Sequence, residues 1–367
     1  MKKVFLSFIL SFLLPSLWEA LGGGSLCAQT NVVTYSPGVS ADGVVYYLPK
    51  TALKIAVTAT RTTMHPGDFH NYAQRMLRLN DAVHSEQTQW TIDRVQMVPF
   101  GVPDTAKVYL VALKKNTSAP LCTLTDDGIL LSINAQTEKP QPAVVEEVNT
   151  RTNEKMNSRD FFNQEILSAG SELKMAELTA AEIYTIRESR SELTKGEADY
   201  MPKDGEQLKL MLAKLDEQEK ALMQLFKGYT DTETKTWVLT YVPEMGKEKE
   251  LLARFSDQRG LVDKDDLSGA PLYITVTNKK TVTSGPTELT DKKLLDKVVW
   301  YNIPSQAEVA IDFMGNALIK GQIPIAQFGH QEYLTDDLFN RRATCHVWLN
   351  PVTGNIQKIE DTSLVKQ

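Results

Sequence analysis

The hydrophobic period of this chain changes twice, and that change limits the architectures open to it more than any other feature. Leu53, Ile55 and Val57 alternate with Lys54, Ala56 and Thr58, a period of two. Leu173, Ala176, Ala180, Ile183, Ile186 and Leu193 recur at helical spacing, as do Leu208, Leu212, Leu215, Leu222 and Leu225. From Trp237, Leu239 and Tyr241 onward the alternation returns, and Leu272, Ile274 and Val276 repeat it. A period of two gives a strand one core face, and a period near 3.6 does the same for a helix. The expected fold is therefore α+β, with two β-rich units flanking an antiparallel helical hairpin.

The first β-rich stretch begins at Val44 and includes a short helical pattern after Pro66-Gly67, through Phe69, Tyr72, Ala73, Met76, Leu77 and Leu79. Strands follow around Trp90–Val98, Lys107–Leu113 and Ile129–Ile133, the last entered through the turn Asp126-Asp127-Gly128. A run rich in Pro, Glu, Asn, Thr and Lys from Thr137 to Asn157 marks a boundary.

The second helix has start and stop signals. Asp204 with Gln207 makes a capping box, and Lys227-Gly228 ends the helix. Gln218 and Glu219 interrupt its apolar stripe, which predicts a less buried far end. The polar connection Lys195–Asp204 is short and contains Pro202, so the helices should fold back on each other. The division that results is 1–28, signal peptide; 29–140, N-terminal mixed β domain; 158–229, helical hairpin; 230–367, C-terminal antiparallel β domain.

Lys2 and Lys3, an apolar run from Val4 to Leu14, and small residues before Ala28 have the three parts of a secretory signal. Cleavage is expected after Ala28. Lipidation at Cys27 is disfavoured by the bulky Leu26 before it. The apolar run is short of the roughly 20 residues a spanning helix needs, so no transmembrane anchor is expected after cleavage. The expected address is the periplasm or the outer-membrane surface. Loss of the signal takes the formal charge from −6 to −7, and no cluster of Lys and Arg suits nucleic acid. Cys122 and Cys345 remain. Export permits a disulfide, but their wide separation favours two separate thiols.

Two stretches echo one another. Val44-Val-Tyr-Tyr-Leu-Pro49 corresponds to Val298-Val-Trp-Tyr-Asn-Ile-Pro304, and Pro99-Phe100-Gly101 to Gln327-Phe328-Gly329. Asp127-Gly128-Ile129 corresponds to Thr353-Gly354-Asn355, in the same order. Internal duplication and chance likeness between β-rich segments account for these echoes equally well.

Few residues invite chemistry. His65, Asp68 and His70 are the one place where two histidines adjoin an acid, but Pro66-Gly67 breaks the spacing that would align them on a metal. A turn and helix start is the favoured reading, with Asp68 near the cap. His330 is placed in a turn, and His346 beside Cys345 in a strand, facing the opposite way. The paired acids Asp126-Asp127, Glu146-Glu147, Asp265-Asp266 and Asp336-Asp337 lie in polar runs where solvated acids are the norm. The run Glu182, Arg187, Glu188, Arg190 and Glu192 reads as a solvated helix face with i, i+4 pairs. No catalytic, cofactor or metal set emerges. At the hairpin turn, Tyr200, Met201 and Pro202 are either contact residues for a partner or packing against the helix ends.

Thr194-Lys-Gly-Glu-Ala-Asp199, Pro202-Lys-Asp-Gly205, Leu212–Glu219 and Leu225-Phe-Lys-Gly228 resemble a family of secreted proteins of unknown function from Gram-negative anaerobes. The likeness extends to Tyr47-Leu-Pro-Lys50 and Ile325-Ala-Gln-Phe-Gly329, so it covers most of the chain. It implies export and a shared architecture, and it supplies no activity and no functional residue. The expected function is a binding or scaffolding component of the cell envelope, with a protein or glycan partner. The rival is a hydrolase of envelope or dietary polymers, using carboxylates or a metal gathered from distant segments.

Overall fold

The structure, a computed structural model, describes residues 30–34, 43–113, 122–202, 204–282, 298–334 and 345–361. The signal segment, Cys27 and Asp336-Asp337 lie outside the described residues.

The elements run β1 (Thr30–Thr34), β2 (Gly43–His65), α1 (Ala73–Leu77), β3 (Gln87–Leu113), β4 (Cys122–Leu124), β5 (Leu130–Ile133) and β6 (Thr150–Asn153). Three helices follow: α2 (Gln164–Leu167), α3 (Glu172–Lys195) and α4 (Gly205–Lys227). Then come β7 (Tyr229–Tyr241), β8 (Lys249–Ser256), β9 (Gly260–Val262), β10 (Ala270–Asn278), β11 (Val299–Phe313), β12 (Asn316–Leu334), β13 (Cys345–Leu349) and β14 (Ile356–Asp361). The result is a mixed α and β protein with three sheets whose strand pairs are antiparallel.

The first sheet has the order β1-β3-β2-β7-β6, the second β12-β11-β10-β8-β9, and the third β14-β13-β5-β4. The β-rich stretches before residue 140 and after residue 230 therefore share two sheets. β7 lies against β2 from Leu53↔Tyr241 to His65↔Tyr229, and β13 lies against β5. The first two sheets pack face to face. Leu53, Ile55 and Val57 of β2 meet Leu272, Ile274 and Val276 of β10 and Val309 and Ile311 of β11. All eight are at most 2% exposed, and each contributes about 1.5–3 kcal/mol through burial. A second core joins Tyr46 and Leu48 of β2 to Leu130, Ile133, Val347 and Leu349 of the third sheet.

Where two strands were expected, at Trp90–Val98 and Lys107–Leu113, the chain forms one long strand, β3. Pro99 and Pro103 do not break it; they pair with Leu53 and Pro49 of β2. Beyond this part of β3 no further strand is present among the described residues, since β1 pairs only with Tyr109–Leu113. A proline without N–H is tolerated on such an open side. The short helical pattern after Gly67 is divided into a 3-10 turn at His70–Tyr72 and α1. Neither start has a side-chain cap, so Asp68 does not act as one.

The polar run from 137 to 157 crosses the outer face of the first sheet. Lys54 Nζ donates to Ala143 O at 2.7 Å, Glu146 N–H to Gln96 Oε1 at 3.3 Å, and Val148 N–H to Thr236 Oγ1 at 3.0 Å. It then becomes β6 at the sheet edge.

The Val44–Pro49 and Val298–Pro304 echoes lie beside similar bulges in two long hairpins, β2–β3 and β11–β12. Pro99-Phe100-Gly101, however, pairs with Leu53, Ala52 and Thr51 outside its bulge, whereas Gln327-Phe328-Gly329 lies within the other. In the first, Leu48 stands opposite four residues, 104–107; in the second, Pro304 stands opposite four, 326–329. Each hairpin has a further one-residue bulge beyond, after Thr58 and after Ile311. The turn glycines also match. Tyr47 N–H donates to Gly128 O at 2.9 Å, and Asn302 N–H to Gly354 O at 3.1 Å. Both glycines have positive φ, +83° and +74°. The third sheet does not repeat this correspondence, because its central pair is β13 with β5.

Candidate functional site

The helical pair is built from local signals. Ser171 caps α3 by accepting from Lys174 N–H at 3.2 Å. α3 ends at Gly196, φ +77°, with Glu197 N–H closing onto Glu192 O at 2.9 Å. Asp204 caps α4, but it accepts from Glu206 N–H at 3.4 Å, one position short of the Gln207 that a full capping box uses. α4 ends at Lys227, with Gly228 N–H on Gln224 O.

The two helices lie antiparallel. Arg187 Nε meets Glu219 Oε1 at 2.6 Å, and Arg190 Nη1 meets Asp216 at 2.6 Å and Glu219 Oε2 at 2.7 Å. The charged face expected to be solvated with i, i+4 pairs is thus, at Arg187 and Arg190, a cross-helix seam. The interruption of the α4 stripe at Glu219 has the same cause: its side chain is only 13% exposed and sits between two guanidinium groups. The Asp216 hydrogen bond, with the charges of Glu219 and Asp216, raises the Arg190 pKa.

The base of the pair is anchored. Ala176, Ala180 and Ile183 of α3 and Leu222, Leu225 and Phe226 of α4 pack with Phe69, Ala73 and Leu77. Phe69 N–H donates to Leu225 O at 2.6 Å, and Gly67 lies so close that a Cβ would stand 2.3 Å from that same oxygen. The distal end differs. No residue of α4 before Ala221 is buried, and Leu210 is 63% exposed. Between the helix ends, Tyr200 is 69% exposed and Met201 37%, with Pro202 half-buried beside them. Tyr200 faces solvent, while Met201 and Pro202 are each partly covered.

The histidines are dispersed. His65, at the end of β2, stands between Glu86 and Asp231, each 3.3 Å from a ring nitrogen, and stacks on Tyr229. Asp68 is exposed, and His70 turns its Nδ1 to Gly67 O at 2.8 Å with its ring edge toward His84. Among the described residues no three His, Cys, Asp or Glu side chains are grouped as metal ligands. His330 is in β12, not in a turn, with Nε2 3.0 Å from Glu332, because β12 runs on past Phe328-Gly329. His346 in β13 meets Asn134 O. Cys122 in β4 is half-buried, and the loss of water around its thiol pushes the pKa up to about 11. The paired acids have cations of their own: Lys139 for Asp126, Arg94 for Glu146 and Arg259 for Asp266.

A cavity of about 550 Å³ lies between Phe100 of β3, Asp126 and Asp127 of the β4–β5 turn, and Lys139–Ala143. Its cations are engaged, Lys139 by Asp126 and Lys54 by Ala143 O. Sequence reasoning missed this cavity, since its walls come from segments far apart in the chain. No helix among the described residues is long and apolar enough to cross a membrane.

Comparison with known proteins leaves the activity open. No curated protein and no solved structure matches the chain. A family model described as a domain of unknown function (DUF4831) matches residues 42–357, so the chain belongs to that family.

Proposed function

We propose that this member of the DUF4831 family is an exported binding or scaffolding module of the cell envelope, acting in the periplasm or at the outer membrane. In this reading the two long β hairpins are copies of one ancestral unit, and the α3–α4 pair between them carries the contact surface. The tip residues Tyr200, Met201 and Pro202 meet a protein or glycan partner. The observation that carries the reading is the exposure of Tyr200 and Met201 at the far end of a helical pair whose base packs against Phe69, Ala73 and Leu77. A helix of 24 residues spans roughly 36 Å, enough to hold the tip well clear of the sheets. Exposed tyrosine and methionine supply contact area with adaptable geometry.

The test is capture from crosslinked envelope extracts with the tagged, processed protein and with a Tyr200→Ala/Met201→Ala variant. A partner retained by the wild type and lost by the variant, with melting unchanged, is expected. Equal capture by both overturns the assignment to the tip. A drop in melting temperature in the variant would show that these residues pack, and would overturn it as well.

A further inference from the structure

An edge strand presents unpaired N–H and C=O groups, and proteins keep such strands short or interrupt them with charge or proline. Among the described residues, five of the six outer strands follow this rule; the sixth, β1, has five residues without charge or proline. β4 and β9 have three residues and β6 four; β14 carries Lys358 and Glu360, and β12 carries Lys320 and Pro324. β7 does not follow it. β6 covers β7 only over Asp231–Thr234, and from Thr236 the strand continues Thr-Trp-Val-Leu-Thr-Tyr to Tyr241, without charge or proline. Thr236 directs its N–H away from β2, toward Asn149 Oδ1 at 3.5 Å. With a period of two and a ladder to β2 free of bulges along β7, Val238 and Thr240 direct their backbone groups the same way.

Beside this edge lies a groove of about 800 Å³ between β7 and the β8–β9 region. Trp237 and Leu239 form its wall on β7, and Leu252 and Leu261 face them from the second sheet. Its rim carries Asp263, Asp265 and Asp266 beside Lys264; Arg259 pairs with Asp266, which leaves Asp263 and Asp265 as the acids facing a ligand. On the opposite face of the strand Val238 is 39% exposed, with Val242 just beyond at 37%.

We propose that this edge receives an extended peptide segment of a protein partner, paired as an added strand to the backbone at Val238 and Thr240. The segment carries apolar side chains at alternate positions, which enter the groove, and Lys or Arg beside them, which meet the acidic rim. A second copy of this chain is a poorer occupant, because it brings a like-charged rim and a formal charge of −6 of its own. The surface is distinct from the helical tip. It lies on the part of β7 farthest from the helix junction at Gly228.

The test uses the processed protein and a fluorescent peptide of alternating valine and threonine with a lysine pair at each end. Saturable binding by anisotropy is expected, weakening as salt rises. Val238→Pro removes one outward N–H and no hydrogen bond to β2, so at least tenfold weaker binding with an unchanged melting curve is expected. A peptide N-methylated at alternate residues tests the same pairing without altering the protein, and should also bind at least tenfold more weakly. No saturable binding, or equal affinity for the N-methylated peptide or for one with glutamate in place of lysine, overturns the proposal. So does a dimer of the wild-type protein that the Val238→Pro substitution dissociates, since the edge then serves self-association.

Discussion

Gln327 joins the two packed sheets, and its replacement by methionine gives a demanding test of the packing described above. The side chain lies in the four-residue bulge of β12 opposite Pro304. Its Oε1 accepts from Thr51 N–H at 2.9 Å, and its Nε2 donates to Thr51 O and to Pro243 O, both at 2.9 Å. β7 ends opposite Leu53, so the amide completes the backbone bonding of β2 where the neighbouring strand stops. Thr51 has no solvent exposure, and water cannot replace the lost partner. Leaving a buried donor or acceptor unpaired costs about 1–3 kcal/mol, and Thr51 supplies one of each, giving about 2–6 kcal/mol in all. Methionine keeps the volume, so little of the loss comes from a cavity. At about 2 °C per kcal/mol for a chain of this size, Gln327→Met should lower the melting temperature by roughly 4–12 °C. The assay is paired thermal melting and urea denaturation of wild type and variant, with slow amide exchange at Thr51 as the local readout. A loss below about 1 kcal/mol, with Thr51 still protected, would refute the reasoning.

Further outcomes follow from neighbouring features. Gly354→Ala places a Cβ 2.7 Å from Pro49 Cδ at a backbone φ of +74°, so a loss of at least about 1–2 kcal/mol is expected in denaturant melts. Glu219→Gln weakens the seam to Arg187 and Arg190 while leaving the base intact. It should speed amide exchange in the distal halves of α3 and α4 and shift global melting by no more than about 1 kcal/mol. Burial holds the Cys122 thiol pKa near 11, above its unfolded value, so native Cys122 should react with a maleimide or disulfide reagent far more slowly at pH 8 than in urea. The same shift sets a sign. This group's contribution to stability is complete below the unfolded thiol pKa and is lost as pH rises toward about 11, which Cys122→Ala should abolish in alkaline melts.

Helices α3 and α4 could be read from the chain because their signals are local: apolar spacing, Asp204 before the first turn, and Gly196 and Gly228 after the last. The alternation that marks β2, β7 and β10 is equally local, and its apolar residues are those that line or border the core. The echoes ending at Pro49 and Pro304 were visible as short matching words, but the bulges at Leu48 and Pro304 were not, since a bulge is a relation between two strands. Arg187 and Arg190 looked like a solvated face for the same reason. Their partners Glu219 and Asp216 sit on another helix, and i, i+4 spacing says nothing about those. Met201 and Tyr200 could equally pack or protrude on sequence grounds, and it is the tertiary course of the turn that leaves them exposed.

Sequence alone indicated the main helical and strand stretches, the core faces of β2 and β10 and the ends of the long helices, because each follows from contacts within a few residues. It did not separate the buried part of the helical stripes from Leu173, Leu208, Leu212 and Leu215, which are not buried. Only the tertiary structure decided that β7 joins β2, that β13 joins β5, and that Gln327 closes onto Thr51. Any strand with an apolar face can satisfy its backbone beside any other of suitable length. The choice among partners depends on how the two packed sheets and the helical base exclude water together, which no single segment encodes.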